Sequence, residues 1–190
     1  MIDHPAEEST ESGDLDLLNQ TSIPRKEPLT VGDRVAYAVA TGLGAGFVPV
    51  APGTAGALEG VGICLAIQAF QPGPSSLLAF AIITVVLLMA GIWASNRVCE
   101  ITGLEDAHSI VMDEVSGQMI ALAPLMFQPQ ISIRGVVAGF LLFRLFDIFK
   151  PYPIRKLEQL HGGLGVMADD ALAGVYAAAL LAICAYFRLV

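Results

Sequence analysis

The chain has 190 residues, enough for one domain of ordinary size with a substantial interior, and a second full domain is not expected. Hydrophobic residues make up 55% of it and charged residues only 15%, with a net charge of -8 and a mean hydropathy of +0.66. In soluble domains about a quarter of the residues are charged, so this composition predicts a membrane protein and gives no reason to expect a nucleic-acid partner.

The negative charge is concentrated in an N-terminal tail. Residues 1–33 hold eight of the 18 acidic residues and only two basic ones, Arg25 and Lys26. The stretch is polar, poor in aromatic residues and without the apolar segment of a secretory signal, so we expect a disordered acidic tail. The chain then divides into the tail at 1–33 and a membrane-embedded domain at 34–190.

A glycine- and proline-rich segment precedes the long apolar runs. Residues 37–58, "YAVATGLGAGFVPVAPGTAGAL", carry no charge but contain too many glycines and prolines for a continuous helix. A re-entrant or interfacial segment fits better, provided that protein or water covers its free backbone groups.

Five apolar segments predict an all-α, polytopic membrane protein with about five membrane-embedded helices. They are residues 57–70, 77–94, 115–127, 133–149 and 171–187. The strongest, Leu77–Ala94, has 18 uncharged residues, roughly 27 Å of helix against a hydrocarbon thickness of about 30 Å. Several others are short or contain a charge or a proline, so the count lies between four and six.

The basic residues predict the orientation of these helices. With a cytoplasmic N-terminus, eight of the ten lysines and arginines fall at or near the cytoplasmic side, and only Arg134 and Arg188 fall opposite. The same orientation places the acidic clusters at the ends of the apolar segments on the cytoplasmic side.

Those acidic clusters are the first candidates for a functional site. They contain Asp113 and Glu114, Asp147, and Asp169 and Asp170. So many carboxylates at one membrane face repel one another, and a positive charge should offset them. The three cysteines are too widely spaced for a disulfide framework or a zinc site. Oxygen ligands favour a hard cation, so we expect Mg²⁺ bound by these five carboxylates.

The stretch "FRLFDIFKPYPIR", residues 143–155, has charged residues at steps of three. Arg144, Asp147 and Lys150 would share one face of a helix that two prolines end. A metal-binding carboxylate between two cations suits a phosphate ester, whose oxygens the arginine and the lysine would bind. The alternative is an ordinary helix end with snorkelling side chains and an incidental ion pair.

Other polar residues give less specific signals. The glycines around Thr54 could present backbone amides and a hydroxyl to a phosphate, or simply form tight turns. His108 and His161 could relay protons near neutral pH, although a solvated loop histidine is the commoner case.

Four motifs, taken together and in this order, resemble the phosphatidylglycerophosphatase A family. They are "ATGLGAGFVPVAPGTAGAL", "SIVMDEVSGQMIAL", "FRLFDIFKPYPIR" and "HGGLGVMADDALAGVYAA", and they cover most of the chain from Ala40 onward. The resemblance implies a bacterial, Mg²⁺-dependent, multi-pass enzyme of the inner membrane. Such an enzyme hydrolyses the terminal phosphate of phosphatidylglycerophosphate in the cytoplasmic leaflet, giving phosphatidylglycerol and inorganic phosphate, with its active site facing the cytoplasm.

The resemblance also implies roles for particular residues. The catalytic residues would be Asp113, Glu114, Asp147, Lys150, Asp169 and Asp170, with the five carboxylates as metal ligands, and the substrate-binding residues Thr54, Arg144, Lys150 and Arg155. His108 departs from the small residue expected at its position, and Tyr152 stands where the family often has tryptophan.

Three alternatives stay open at this point, and one of them is a non-catalytic membrane interaction protein, which would explain the acidic tail but not the acidic clusters. Attack by water and a covalent aspartyl-phosphate are both compatible with the predicted residues. A transporter or channel, with the acidic residues along an ion path, is the competing class of protein, but the chain has no internal repeat of the kind that transporters often show. The sequence does not indicate an oligomeric state.

Overall fold

The computed structural model describes residues 28–71, 73–104, 107–128, 130–157 and 160–190. Within these ranges the chain forms α-helices, two 3₁₀ helices and turns, and no β-strand. The α-helices are α1 (Val31–Ala40), α2 (Pro52–Phe70), α3 (Pro74–Thr102), α4 (Met112–Leu122), α5 (Ile133–Phe149), α6 (Ile154–Leu157) and α7 (Gly163–Tyr186). The predicted all-α fold is confirmed.

Three of the described helices are long and apolar enough to cross a membrane. They cover Pro52–Phe70, Ser75–Thr102 and Gly163–Tyr186. On the second of them, Ile82, Val85 and Met89 each expose more than half of their surface. Apolar side chains that point outward from a long helix are favourable in lipid and unfavourable in water. The predicted class, a helical membrane protein, is therefore confirmed, whereas the predicted count of five membrane helices is not.

The short helix α4 is the centre of the fold. It packs against α2, α3, α5 and α7, and eight of its 11 residues are buried. Eleven residues extend only about 16 Å, roughly half the hydrocarbon thickness. The segment predicted at 115–127 is in fact most of α4 followed by a 3₁₀ helix, Ala123–Phe127. Its apolar composition reflects burial inside the protein.

A close crossing of α4 and α7 sets the distance between two acidic segments. A Cβ atom on Gly174 would overlap the carbonyl oxygen of Gly117, and a Cβ atom on Gly117 would lie 2.7 Å from the carbonyl oxygen of Asp170. Small residues allow helix backbones to approach this closely. The crossing therefore holds Asp170 beside the first turn of α4.

The first described helix begins inside the stretch predicted as the acidic tail. Helix α1 starts at Val31, so the boundary predicted between residues 33 and 34 lies inside it. Asp33 is buried, and its Oδ1 accepts a hydrogen bond of 2.7 Å from Nε of Arg97 on α3, which explains why this acidic residue belongs to the domain. Residues 1–27 lie outside the described residues, and the disorder predicted for them stays a prediction.

The glycine- and proline-rich segment interrupts the helices, as predicted. After α1 it forms a 3₁₀ helix, Gly42–Phe47, in which Leu43 has a φ of 49°, and Ala51 has a φ of 53° directly before α2. Left-handed conformations are uncommon for residues with a side chain, and surrounding structure must hold them in place. The start of α2 is therefore fixed by this segment and lies at the site described next.

Candidate active site

The three acidic clusters meet at one cavity of about 380 Å³. The start of α2, the first turn of α4, the end of α5 and the first part of α7 enclose it. All six residues predicted as catalytic line its wall: Asp113, Glu114, Asp147, Lys150, Asp169 and Asp170. The remaining wall is formed by Pro52, His108, Ile110, Leu160, Gly165 and Val166.

Three of the carboxylates form a compact group that could hold a metal ion. Asp113, Glu114 and Asp170 each offer an oxygen, and these oxygens lie within 4.8 Å of one another. One oxygen of each carboxylate is buried and has no hydrogen-bond partner among the described residues. Burying unpaired charge is costly, so this arrangement calls for a cation. The three residues are called the carboxylate triad below.

The raised pKa values of two triad carboxylates also indicate a site that needs a cation. Burial raises the pKa of Asp113 well above its ordinary value of 3.8, and the charges of Glu114 and Asp170 raise it further. Burial also raises the pKa of Glu114, although the nearby charge of Arg144 opposes the change. Protons and a metal ion therefore compete for the same oxygens.

The other two carboxylates are paired with cations. Nη1 of Arg144 lies 2.6 Å from Oδ2 of Asp147, and Nζ of Lys150 donates a hydrogen bond of 2.7 Å to Oδ2 of Asp169. The Arg144 contact is close enough for an ion pair but is not aligned as a hydrogen bond. Five carboxylates against two cations leave an excess of negative charge, which a divalent ion would offset.

Lys150 does not lie on the helical face predicted for it. Helix α5 ends at Phe149, because Pro151 follows and the helix cannot continue through it. Lys150 itself has a left-handed backbone, with φ 42° and ψ 63°. This conformation costs about 1–3 kcal/mol for such a residue. This left-handed residue forms the turn after α5, and from that turn the lysine side chain reaches α7.

The start of α2 packs directly on the site. A Cβ atom on Gly53 would overlap Oε1 of Glu114 and lie 3.2 Å from Nη1 of Arg144, so a side chain there would displace the Glu114 carboxylate. Thr54, a predicted substrate-binding residue, follows in the same turn and is half-buried. Among the described residues it is Pro52, rather than Thr54, that forms the cavity wall at this point.

Helix α7 is anchored from α3. The side-chain Oδ1 of Asn96 accepts a hydrogen bond of 2.6 Å from the backbone N–H of Gly163, the first residue of α7. A capping side chain satisfies one of the free N–H groups at a helix start and so fixes its position. Asp169 and Asp170 follow two turns later on the same helix.

Of Arg155 and the two histidines, His108 alone is among the described residues that line the cavity. Arg155 is exposed on α6 and lines a separate pocket that adjoins the cavity through Lys150. His108 lines the cavity, whereas His161 is exposed and is not among the described lining residues.

Gln118 was not among the predicted site residues. It is fully buried in α4, and neither its side-chain nitrogen nor its oxygen has a partner among the described residues. It stands four residues after Glu114, one turn deeper in the same helix. The sequence did contain a signal for it, because a polar residue inside an apolar run, one helical turn from a predicted site residue, is unusual.

This fold and this site define a helical membrane protein with an acidic cavity suited to a cation and a phosphate. A family model described as Phosphatidylglycerophosphatase A matches residues 38–185, and this chain belongs to that family. The protein is therefore a phosphatase, a hydrolase of phospholipid metabolism. Family membership favours this class over the transporter or channel.

Curated relatives agree on a lipid phosphatase. A Bacteroides thetaiotaomicron protein named "Putative phosphatidylinositol-3-phosphatase" is 44% identical over 147 residues, which is 76% of this chain and 90% of that protein. Proteins named Phosphatidylglycerophosphatase A from Haemophilus influenzae and Escherichia coli are 39% and 34% identical. The matches cover 74% and 76% of this chain and 83% and 80% of those proteins. No solved structure matches the chain.

Proposed function

We propose that the protein hydrolyses the terminal phosphomonoester of phosphatidylglycerophosphate to phosphatidylglycerol and inorganic phosphate, with Mg²⁺ as cofactor. The carboxylate triad carries the proposal, because its oxygens lie within 4.8 Å of one another. The same cavity is lined by the pair of Lys150 and Asp169 and by Asp147, whose partner Arg144 is not among the described lining residues. Two relatives bear the name of this activity.

The donor set fits Mg²⁺. All the available donors are oxygens, and Mg²⁺ in proteins is usually bound by one or two carboxylates together with water and substrate phosphate. Asp113, Glu114 and Asp170 would hold it, since each has a buried oxygen without a partner among the described residues. Bound there, Mg²⁺ would supply positive charge for the phosphate oxygens and make water at the site more acidic.

Arg144 and Lys150 are the proposed phosphate-binding cations. Their contacts with Asp147 and Asp169 hold both cationic groups beside the cavity before a substrate arrives. Nη1 of Arg144 makes no aligned hydrogen bond to a described residue, so it can donate to a phosphate oxygen. Charge that is positioned in advance stabilises phosphoryl transfer, where negative charge spreads over the phosphate oxygens.

In the proposed hydrolysis, a water oxygen bonds to phosphorus while the bond between phosphorus and the headgroup oxygen breaks. A cavity carboxylate accepts the proton of the water, and the departing oxygen takes a proton from solvent water. Asp147 and Asp169 are the candidates for the acceptor, because the other three carboxylates form the cation site. The alternative is a covalent aspartyl-phosphate. Acid quenching during turnover of radiolabelled substrate separates the two routes, since only the covalent one leaves phosphate on the protein.

The proposed location is the bacterial inner membrane, with the cavity facing the cytoplasm and the lipid drawn from the cytoplasmic leaflet. The excess of lysine and arginine predicted on that side supports this orientation. A green fluorescent protein fused to the N-terminus should fluoresce, because that reporter matures in the cytoplasm. A dark fusion of normal abundance would oppose it.

Phosphatidylinositol 3-phosphate is the second candidate substrate. The Bacteroides relative named for it is 44% identical, more than either relative named for phosphatidylglycerophosphate. Both lipids carry a phosphomonoester on a polyol that is joined to the diacylglycerol through a phosphodiester. Their kcat/KM values, measured on the same purified protein, decide between them.

Phosphate release from phosphatidylglycerophosphate in detergent micelles tests the proposal, with Mg²⁺ or with EDTA. We expect release that requires the metal and is lost in folded Asp147→Asn and Asp170→Asn variants. A well-folded wild type that releases no phosphate in Mg²⁺ would oppose the proposed function. Glu100→Gln is a suitable control, because Glu100 is an exposed acid on α3 outside the cavity.

A further inference from the structure

Next to the catalytic cavity, the turn between α5 and α7 holds a second pocket of about 370 Å³, called the turn pocket here. Its wall is formed by Phe149, Lys150, Pro151, Tyr152, Arg155 and Lys156. Lys150 lines both this pocket and the catalytic cavity, so the two spaces are neighbours.

The turn that carries the pocket is fixed to the rest of the protein. Ile154 is fully buried and packs with apolar residues of α2, α4, α5 and α7. The hydroxyl of Tyr176 on α7 donates a hydrogen bond of 3.4 Å to the carbonyl oxygen of Tyr152. Because Ile154 points inward, its neighbours Arg155 and Lys156 remain exposed at the surface. The pocket is therefore held in place by burial and is open to a ligand.

The charge of the turn pocket suits an anion. None of its six lining residues is acidic, and Arg155 and Lys156 supply its cationic groups, because the ammonium group of the third cation, Lys150, is bound to Asp169. Nζ of Lys156 lies 5.1 Å from the centroid of the Tyr152 ring, a cation–π distance that holds the ammonium group at the pocket. None of the ion pairs between described residues involves Arg155 or Lys156. A phosphate group is the natural partner of such a set.

Exposed apolar side chains lie around the turn pocket. Ile148 and Phe149 at the end of α5 expose 67% and 68% of their surface, and Tyr152 in the following turn exposes 75%. Aromatic and apolar residues of this kind sit favourably at the level of lipid headgroups. The surface thus presents, side by side, the catalytic cavity, the positive turn pocket and an apolar patch. The substrate has a phosphomonoester, a phosphodiester and acyl chains in the same order.

We infer that the turn pocket binds the phosphodiester of the lipid substrate while the phosphomonoester occupies the catalytic cavity. The inference rests on the proposed lipid-phosphatase function and adds specificity for a headgroup with two phosphates. Phosphatidic acid has a phosphomonoester and no phosphodiester, so it leaves the turn pocket empty. Arg155 and Lys156 are then the residues that distinguish the two lipids.

Steady-state kinetics in uncharged mixed micelles test this assignment. The variant is Arg155→Gln combined with Lys156→Gln, and the control is Arg34→Gln, which removes an exposed arginine on α1. We expect KM for phosphatidylglycerophosphate to rise about tenfold in the double variant with kcat within about twofold, while KM for phosphatidic acid is unchanged. Arg155→Lys combined with Lys156→Arg should restore most of the affinity.

Product inhibition gives a second measurement. Phosphatidylglycerol retains only the phosphodiester, so its inhibition constant should rise about tenfold in the double variant and stay unchanged in the control. An equal rise in KM for both lipids would show a general attraction to anionic surfaces and overturn the inference. Unchanged kinetics in the double variant would also overturn it, while leaving the proposed function intact. A wild type inactive on phosphatidylglycerophosphate would remove the proposed function itself.

Discussion

Replacing Gly117 by alanine should weaken metal binding without removing any polar group. The added Cβ would lie 2.7 Å from the carbonyl oxygen of Asp170 and 2.7 Å from Cε2 of Phe143, which is 0.7 Å short of an ordinary contact at 3.4 Å. Helices α4 and α7, which carry the carboxylate triad, would have to separate by a similar distance. Mg²⁺ sites tolerate deviations of only about 0.2 Å in their ligand distances.

Two effects of Gly117→Ala follow from this overlap. The Mg²⁺ concentration for half-maximal activity should rise at least about tenfold, the lower end of what disturbed ligand support costs in metal sites. The free energy of unfolding should fall by about 1–3 kcal/mol, as for other overpacked interiors. Phosphate release titrated with Mg²⁺ measures the first effect, and thermal unfolding in detergent measures the second.

Gly62→Ala is the matched control for this prediction. Gly62 lies inside α2, and beyond the neighbouring backbone of that helix no atom stands within 4 Å of a Cβ added there. Its replacement should raise stability by about 0.5–1 kcal/mol through helix propensity and leave the Mg²⁺ requirement unchanged. If Gly117→Ala matched the wild type in both measurements, the crossing of α4 and α7 would not set the spacing of the triad.

Three further predictions concern charge, pH and helix anchoring. Lys150→Met leaves the buried Asp169 without its cation and should lower kcat at least about a hundredfold at saturating Mg²⁺, with partial retention in Lys150→Arg. Because the folded protein holds the Asp113 proton above pH 3.8, the contribution of Asp113 to stability falls as pH rises through its raised pKa. Metal-free protein should therefore lose stability as the pH rises above 3.8 toward the raised pKa of Asp113. Mg²⁺ should restore most of that stability at the higher pH, as melting temperatures would show, and a flat profile would contradict this. Asn96→Ala removes the acceptor for the Gly163 N–H and should cost about 1 kcal/mol in thermal unfolding, whereas Asn96→Asp should retain most of it.

The gathering of the acidic residues could be predicted from the sequence. Asp113, Asp147 and Asp170 stand in or beside apolar runs, where isolated charges are unfavourable, and mutual proximity with a cation is the arrangement that relieves the cost. The cavity does bring them together. The sequence could not predict which carboxylates form the triad and which pair with Arg144 or Lys150. Lys150 contacts Asp169, 19 residues away, only because α7 is placed by its crossing with α4 and by its anchor on α3.

The helix count shows a second limit of the sequence. An apolar run has the same composition whether it faces lipid or the interior of the protein, so the segment at 115–127 looked like a membrane span. In the structure α4 is surrounded by four other helices. The end of α5 shows a similar limit. The spacing of Arg144, Asp147 and Lys150 indicated one helical face, but Lys150 lies in a left-handed turn after the helix, directly before Pro151, and its side chain contacts Asp169 on α7.

Binding of Mn²⁺ as a spectroscopic substitute for Mg²⁺ tests the central claim most directly. Electron paramagnetic resonance of free Mn²⁺ gives the number of ions bound and their affinity, without any need for turnover. We predict saturable binding by the wild type and by Glu100→Gln, and affinity at least about tenfold weaker in Asp170→Asn. Equal affinity in Asp170→Asn and the wild type, or no saturable binding by the wild type, would contradict a cation site built by Asp113, Glu114 and Asp170.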